Sequence, residues 1–167
     1  MGHKRLEFTR PRCFLCPVKA FVFSALLALS VSIRATPEDA SARPIPDLKA
    51  EAEKGDPSAQ FELGVAYQFG KAVGKNPVES VKWFRMAAEK GNALGQFGLG
   101  VMYRKGTGVE KDYAKAVKWY RKAAEQNNAM AQFNLGDCFE YGLGVVKDYV
   151  EAKMWYRNAA EQGKATF

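Results

Sequence analysis

One constraint governs what this chain can fold into: it repeats itself every 36 residues. The stretch Gly91–Gln126, GNALGQFGLGVMYRKGTGVEKDYAKAVKWYRKAAEQ, aligns without insertion on Gly55–Lys90 before it and on Asn127–Gln162 after it. All three tryptophans, Trp83, Trp119 and Trp155, share one position of this frame. So do Gly64, Gly100 and Gly136; Gly70, Gly106 and Gly142; and the pairs Gln60-Phe61, Gln96-Phe97 and Gln132-Phe133. A strict period of about 20–50 residues denotes a repeat array, whose units bury their apolar faces only against neighbours. The expected fold is therefore all-α, an alpha/alpha solenoid of three helix-turn-helix units at residues 55–90, 91–126 and 127–162.

Within a unit, apolar and small residues recur at spacings of three and four over roughly Ala93–Lys105 and again over Tyr113–Gln126, the helical period. Asp112, Asp148 and Asn76-Pro77 stand where helix N-caps belong, and Glu79 and Glu151 follow at capping-box spacing. Gly70, Gly106 and Gly142 are placed to end the first helices, and Gly91, Asn127 and Gly163 the second ones, because Gly and Asn accept the left-handed conformation. Gly64, Gly100 and Gly136 fall inside a helix, at about 1 kcal/mol each against Ala. A cost incurred in every unit predicts close approach of two helices, expected beside the tryptophan of the second helix.

The wording AxxxAQFxLGxxYxxGxGVxKDYxxAxxWYRxAAEQ resembles the Sel-1-like repeat, a relative of the tetratricopeptide repeat, over residues 55–162. Repeat two departs from it with Gly95 and Gly98, repeat one with Ala72 for the loop glycine and Asn76-Pro77 for Asp-Tyr. The resemblance implies a non-catalytic scaffold that holds other proteins or peptides. Some secreted members of this family are rich in cysteine, carry a disulfide in each unit and are associated with penicillin binding. This chain lacks those cysteine pairs, so a penicillin-binding or β-lactamase-type hydrolase is kept only as the alternative reading.

Residues 1–35 differ in composition. Lys4, Arg5, Arg10, Arg12 and Lys19 precede the apolar run Ala20–Ile33, AFVFSALLALSVSI, which Arg34-Ala35-Thr36-Pro37 breaks. This is the layout of a secretory signal peptide, with cleavage expected after Ala35; the run is short for a membrane span, which needs about 20 residues. A periplasmic or secreted protein with no stable membrane span after cleavage is expected, an uncleaved anchor being the competing outcome. The segment carries six of the 25 Lys/Arg and one of the 18 Asp/Glu, so the remaining chain has 19 basic and 17 acidic groups. Its net charge of +2 gives little support for nucleic-acid binding. Residues 36–46 read as a linker, residues 47–54 as a half-repeat capping the stack, and residues 163–167 as the truncated start of a further repeat.

No catalytic constellation is found, and no cofactor or metal is expected. The only histidine, His3, and the Cys13-x-x-Cys16 pair lie in the signal segment. Beyond it there is no histidine for a general base, triad or zinc site, and one cysteine, Cys138. None of Ser41, Ser58 and Ser80 begins a Ser-x-x-Lys motif. The Gly-x-Gly turns at Gly106 and Gly142 follow helices rather than strands and lack a Walker lysine.

Comparing the units with one another separates shared from variable positions. Phe97, Leu99, Gly100, Trp119, Ala123 and Ala124 recur and read as stack-building, while first-helix positions vary: Ser58/Leu94/Met130, Glu62/Gly98/Asn134, Val65/Val101/Asp137 and Phe69/Lys105/Tyr141. First helices line the concave face in repeats of this type, the usual binding surface of solenoids. The candidate protein-binding residues are accordingly Glu62, Phe69, Met102, Lys105, Asn134, Asp137 and Tyr141. A second candidate is the open C-terminal face, Met154, Trp155 and Tyr156, through which a homodimer is the simplest self-association.

Overall fold

The computed structural model describes residues 43–164, with side chains through residue 162. The expected signal peptide, with His3 and the Cys13/Cys16 pair, lies outside the described residues, as does most of the linker. The described residues form seven helices and no strand: α1 (Ile45–Lys54), α2 (Pro57–Phe69), α3 (Pro77–Glu89), α4 (Ala93–Lys105), α5 (Tyr113–Glu125), α6 (Ala129–Tyr141) and α7 (Tyr149–Lys164). Each helix packs on the next in chain order, the expected stack of helix pairs.

Every helix from α2 onward opens on an Asp or Asn whose side chain accepts an orphan backbone N–H two or three residues ahead. Asn76, Asp112 and Asp148 cap α3, α5 and α7 as expected, accepting from Glu79, Lys115 and Val150. Asp56, Asn92 and Asn128 do the same for α2, α4 and α6, accepting from Ala59, Gly95 and Ala131. The reciprocal half of the capping box is not made. The backbone N–H groups of Asn76, Asp112 and Asp148 donate instead to the carbonyls of Tyr67, Tyr103 and Phe139, at 2.9, 3.0 and 2.9 Å. These bonds tie the start of each second helix to the end of the first, and Glu79 turns to Lys82.

Gly70, Gly106 and Gly142 end the first helices in the left-handed conformation, as do Gly91 and Asn127 after α3 and α5. Gly163 does not: α7 continues through it to Lys164. Ala72, standing where the other repeats have Gly108 and Gly144, is also left-handed at φ 56°, a strained setting for alanine.

The intrahelical glycines do mark close approach, but the partner differs from expectation. A Cβ on Gly64, Gly100 or Gly136 would fall 2.6, 2.6 and 2.7 Å from the ring of Phe84, Tyr120 and Tyr156, the residue after each tryptophan. One residue advances about 100° around a helix, so the tryptophans sit to one side of this contact, half-buried, while Phe84 and Tyr120 are sealed in the core. Ser80 bonds the Gly64 carbonyl at 2.8 Å where Ala116 and Ala152 stand in the later units.

The seams between units are held by a repeated polar contact. The buried side chains of Gln60, Gln96 and Gln132 donate to the carbonyls of Ala52, Ala88 and Ala124, at 3.0, 3.2 and 3.2 Å. α1 thus offers α2 the same seat that α3 offers α4 and α5 offers α6.

Candidate functional site

Successive first helices α2, α4 and α6 bring one face of each unit to a shared groove of about 450 Å³. Its floor is an aromatic ladder. Phe61 lies over Phe84 and Phe97 over Tyr120, with ring centroids 5.8 and 6.1 Å apart. Val65, Val101, Leu94 and Met130 complete an apolar lining, with Phe69 on the rim. Phe69 is 63% exposed, a cost for an apolar ring with no partner in its own fold.

The polar end is built across two units. The Arg104 guanidinium on α4 donates to Asn134 at 2.8 Å and to Asp137 at 3.3 Å, both on α6. The hydroxyl of Tyr156 lies 2.9 Å from an Asp137 carboxylate oxygen and 2.7 Å from one of Glu140. Burial, then its bonds to Glu140 and Asp137, push the Tyr156 phenol far above its ordinary range, so it stays a donor. Gln68 and Lys105 supply the remaining polar lining, leaving two cations and no carboxylate on the groove wall itself.

Of the expected binding residues, Phe69, Lys105 and Asn134 line this groove. Asp137 does not line it; it is spent in the Arg104–Tyr156 network. Glu62 is exposed and pairs with Arg43 at 2.7 Å. Tyr141 is 64% exposed but lies off the groove wall. Met102 drops out: it is 0% exposed, and Ala66, Met102 and Cys138 at this position differ in the volume they fill inside the stack, not in what they show to solvent. At the C-terminal face, Met154 is exposed, whereas Trp155 and Tyr156 are half-buried against their own unit, Tyr156 stacking on Phe133 at 5.2 Å. Phe61 and Phe97, whose recurrence reads as stack-building, pack against the core and line the groove as well.

Among the described residues no cluster of His, Cys, Asp or Glu could hold a metal ion. Cys138 is buried and free, and burial pushes its thiol up to about 11, away from the reactive thiolate. No described helix is long and apolar enough to cross a membrane.

Comparison with known proteins agrees with this architecture. The Sel1 repeat profile matches residues 57–92, 93–128 and 129–164, the same period set two residues later. A Sel1 repeat protein from Oxalobacter formigenes is 45% identical with a TM-score of 0.68, over 71% of this chain and 49% of that one. A protective antigen of uropathogenic Escherichia coli with an SLR fold is 35% identical with a TM-score of 0.60, over 72% of this chain and 34% of that one. Cysteine rich protein B of Helicobacter pylori is 26% identical with a TM-score of 0.57, over 73% of this chain and 92% of its own. No curated protein matches. The chain spans about half the length of the Oxalobacter protein and a third of the E. coli one. With its three tandem matches and its stacked helix pairs, this chain belongs to the Sel1 repeat family.

Proposed function

We propose that this protein is an exported, non-catalytic scaffold that binds a peptide or protein segment in the groove formed by α2, α4 and α6. The observation that carries this reading is the groove: an aromatic and aliphatic lining, with exposed Phe69 and Met130 at its edges and polar groups at one end. Concave, mostly apolar sites with a few placed polar groups are the usual form of a binding site. Large apolar side chains left exposed around such a site are the residues that carry affinity when a partner covers them. The family's general role in protein interactions and the absence of a catalytic constellation from the sequence support the same reading.

The export part rests on the basic, apolar and polar order of residues 1–35. N-terminal sequencing of the protein recovered from cell fractions tests it; a chain that retains Met1 in the cytosol would end that part of the reading. The binding part is tested by selecting a displayed random-peptide library on the protein. Enriched peptides should lose at least about tenfold in affinity for a Phe69→Ser/Met130→Ser variant, since two exposed apolar anchors are removed. Enrichment of nothing, or equal binding to the variant, would count against the groove.

A further inference from the structure

The first helices carry few charged residues, and all but one of these already have partners. On α2, Glu62 pairs with Arg43 at 2.7 Å. On α6, Asp137 takes Arg104 of α4 at 3.3 Å and the Tyr156 hydroxyl at 2.9 Å, and Glu140 takes the same hydroxyl at 2.7 Å. Lys105 on α4 is left over: it is exposed and forms no ion pair among the described residues. Its place in the last turn of α4 suits the helix dipole. The dipole does not require it, because α2 and α6 carry Phe69 and Tyr141 at the same position of the frame and end on the same left-handed glycine. Gln68, Phe69, Arg104 and Lys105, all from the last turn of α2 or α4, close one end of the groove. Away from that end the walls of these two helices are apolar, with Phe61, Val65, Leu94, Phe97 and Val101.

We infer that the groove selects an acidic peptide segment, one in which aromatic or aliphatic side chains adjoin an Asp or Glu side chain whose carboxylate is taken by Lys105. The specificity rests on the groove being the binding site, as proposed above, and adds the charge of its occupant. Charge complementarity makes the assignment: an unpaired cation stands at the end of an apolar groove whose wall holds no carboxylate. The Gln68 amide brings two further N–H donors to the same end. Arg104 is not the anchor, because Asn134 at 2.8 Å and Asp137 already engage its guanidinium and Asp137 balances its charge. A basic segment would meet Lys105 as a like charge with no carboxylate on the wall to offset it.

The probe is a pair of displayed peptide libraries built on the same aromatic, aliphatic and small residues. One has Asp and Glu as its only charged residues, the other Lys and Arg. The peptides are fused through their C-termini, so every carboxylate in the variable part is a side chain. Both libraries are selected on the protein, and the acidic one should enrich while the basic one does not. Enriched peptides should lose about tenfold in affinity when their acid is replaced by its amide, and at least as much on Lys105→Glu, since a charge-assisted contact is removed. On Lys105→Glu the basic library should enrich instead. Lys118→Glu makes the same change of net charge at an exposed position of α5. It should alter affinity by less than about twofold, because a solvated charge away from the site is screened. Peptides weakened by Phe69→Ser/Met130→Ser but indifferent to Lys105→Glu, or weakened equally by Lys118→Glu, overturn the acidic specificity and leave the groove standing. Enrichment from neither library, or peptides indifferent to Phe69→Ser/Met130→Ser, overturns both.

Discussion

Replacing Tyr120 by alanine should damage the stack about one and a half times as much as replacing the neighbouring Trp119, although tryptophan is the larger side chain. Tyr120 is 0% exposed, fills the space left by Gly100 and stacks on Phe97. Truncating a fully buried aromatic removes its transfer energy and leaves a cavity, about 4 kcal/mol together. Trp119 is half-buried, with the Lys122 ammonium 4.7 Å from its ring centre on the solvent side. Half of an aromatic burial near 200 Å² at about 25 cal/mol/Å² gives about 2.5 kcal/mol. For roughly 120 ordered residues the entropy of unfolding is about 0.25 kcal/mol/K, so the melting temperature should fall by about 16 °C for Tyr120→Ala and about 10 °C for Trp119→Ala. The assay is thermal and urea unfolding of both variants followed by circular dichroism, with equal m-values confirming a like comparison. Equal losses, or a larger one for Trp119→Ala, would refute the assignment of the core to the residue after the tryptophan.

Further outcomes follow from particular contacts. The Tyr120 hydroxyl is buried with the Arg104 guanidinium beside it but no hydrogen bond of good geometry, and repeat one has Phe84 in its place, so Tyr120→Phe should change stability by less than about 1 kcal/mol in urea unfolding. Ala72→Gly should gain about 0.5–1 kcal/mol, by relieving a left-handed alanine at φ 56°. Hydrogen bonds from the Lys115 backbone and side chain hold the Asp112 carboxylate below its ordinary value of 3.8. A depressed carboxylate contributes stability above its unfolded pKa and loses it as pH falls through the folded one. The melting temperature should therefore drop below about pH 4, and less steeply in Asp112→Asn.

Much of this was legible because the chain supplies three versions of one unit. The period fixed the number of helices, and Gly70, Gly106 and Gly142 ended the first helices where expected. What periodicity could not resolve was which of two adjacent, recurring aromatics faces inward. Trp119 and Tyr120 are both apolar and both fit the helical stripe, so the glycine contact was placed one residue early. The caps Asp56, Asn92 and Asn128 do not stand out in the sequence, because Gly91 and Asn127, directly before the latter two, already account for the turn. Gly163 read as a helix end by the same frame, yet α7 runs past it. Within the groove, variation was a partial guide. It pointed to Phe69, Lys105 and Asn134, but also to buried Met102, because cores tolerate changes of volume as surfaces tolerate changes of charge. Arg104 carried no signal on its own; only the stacking of α4 against α6 gives it Asn134 and Asp137 as partners.

The central claim is that partner recognition occurs on the first helices. Its most direct measurement is an amide chemical-shift map of the isotope-labelled protein titrated with a peptide selected on it. The account predicts the largest shifts along the groove, at Phe69, Phe97, Val101, Lys105 and Met130. Shifts concentrated instead on exposed residues of the second helices, such as Lys82, Lys118 and Arg121, would contradict it.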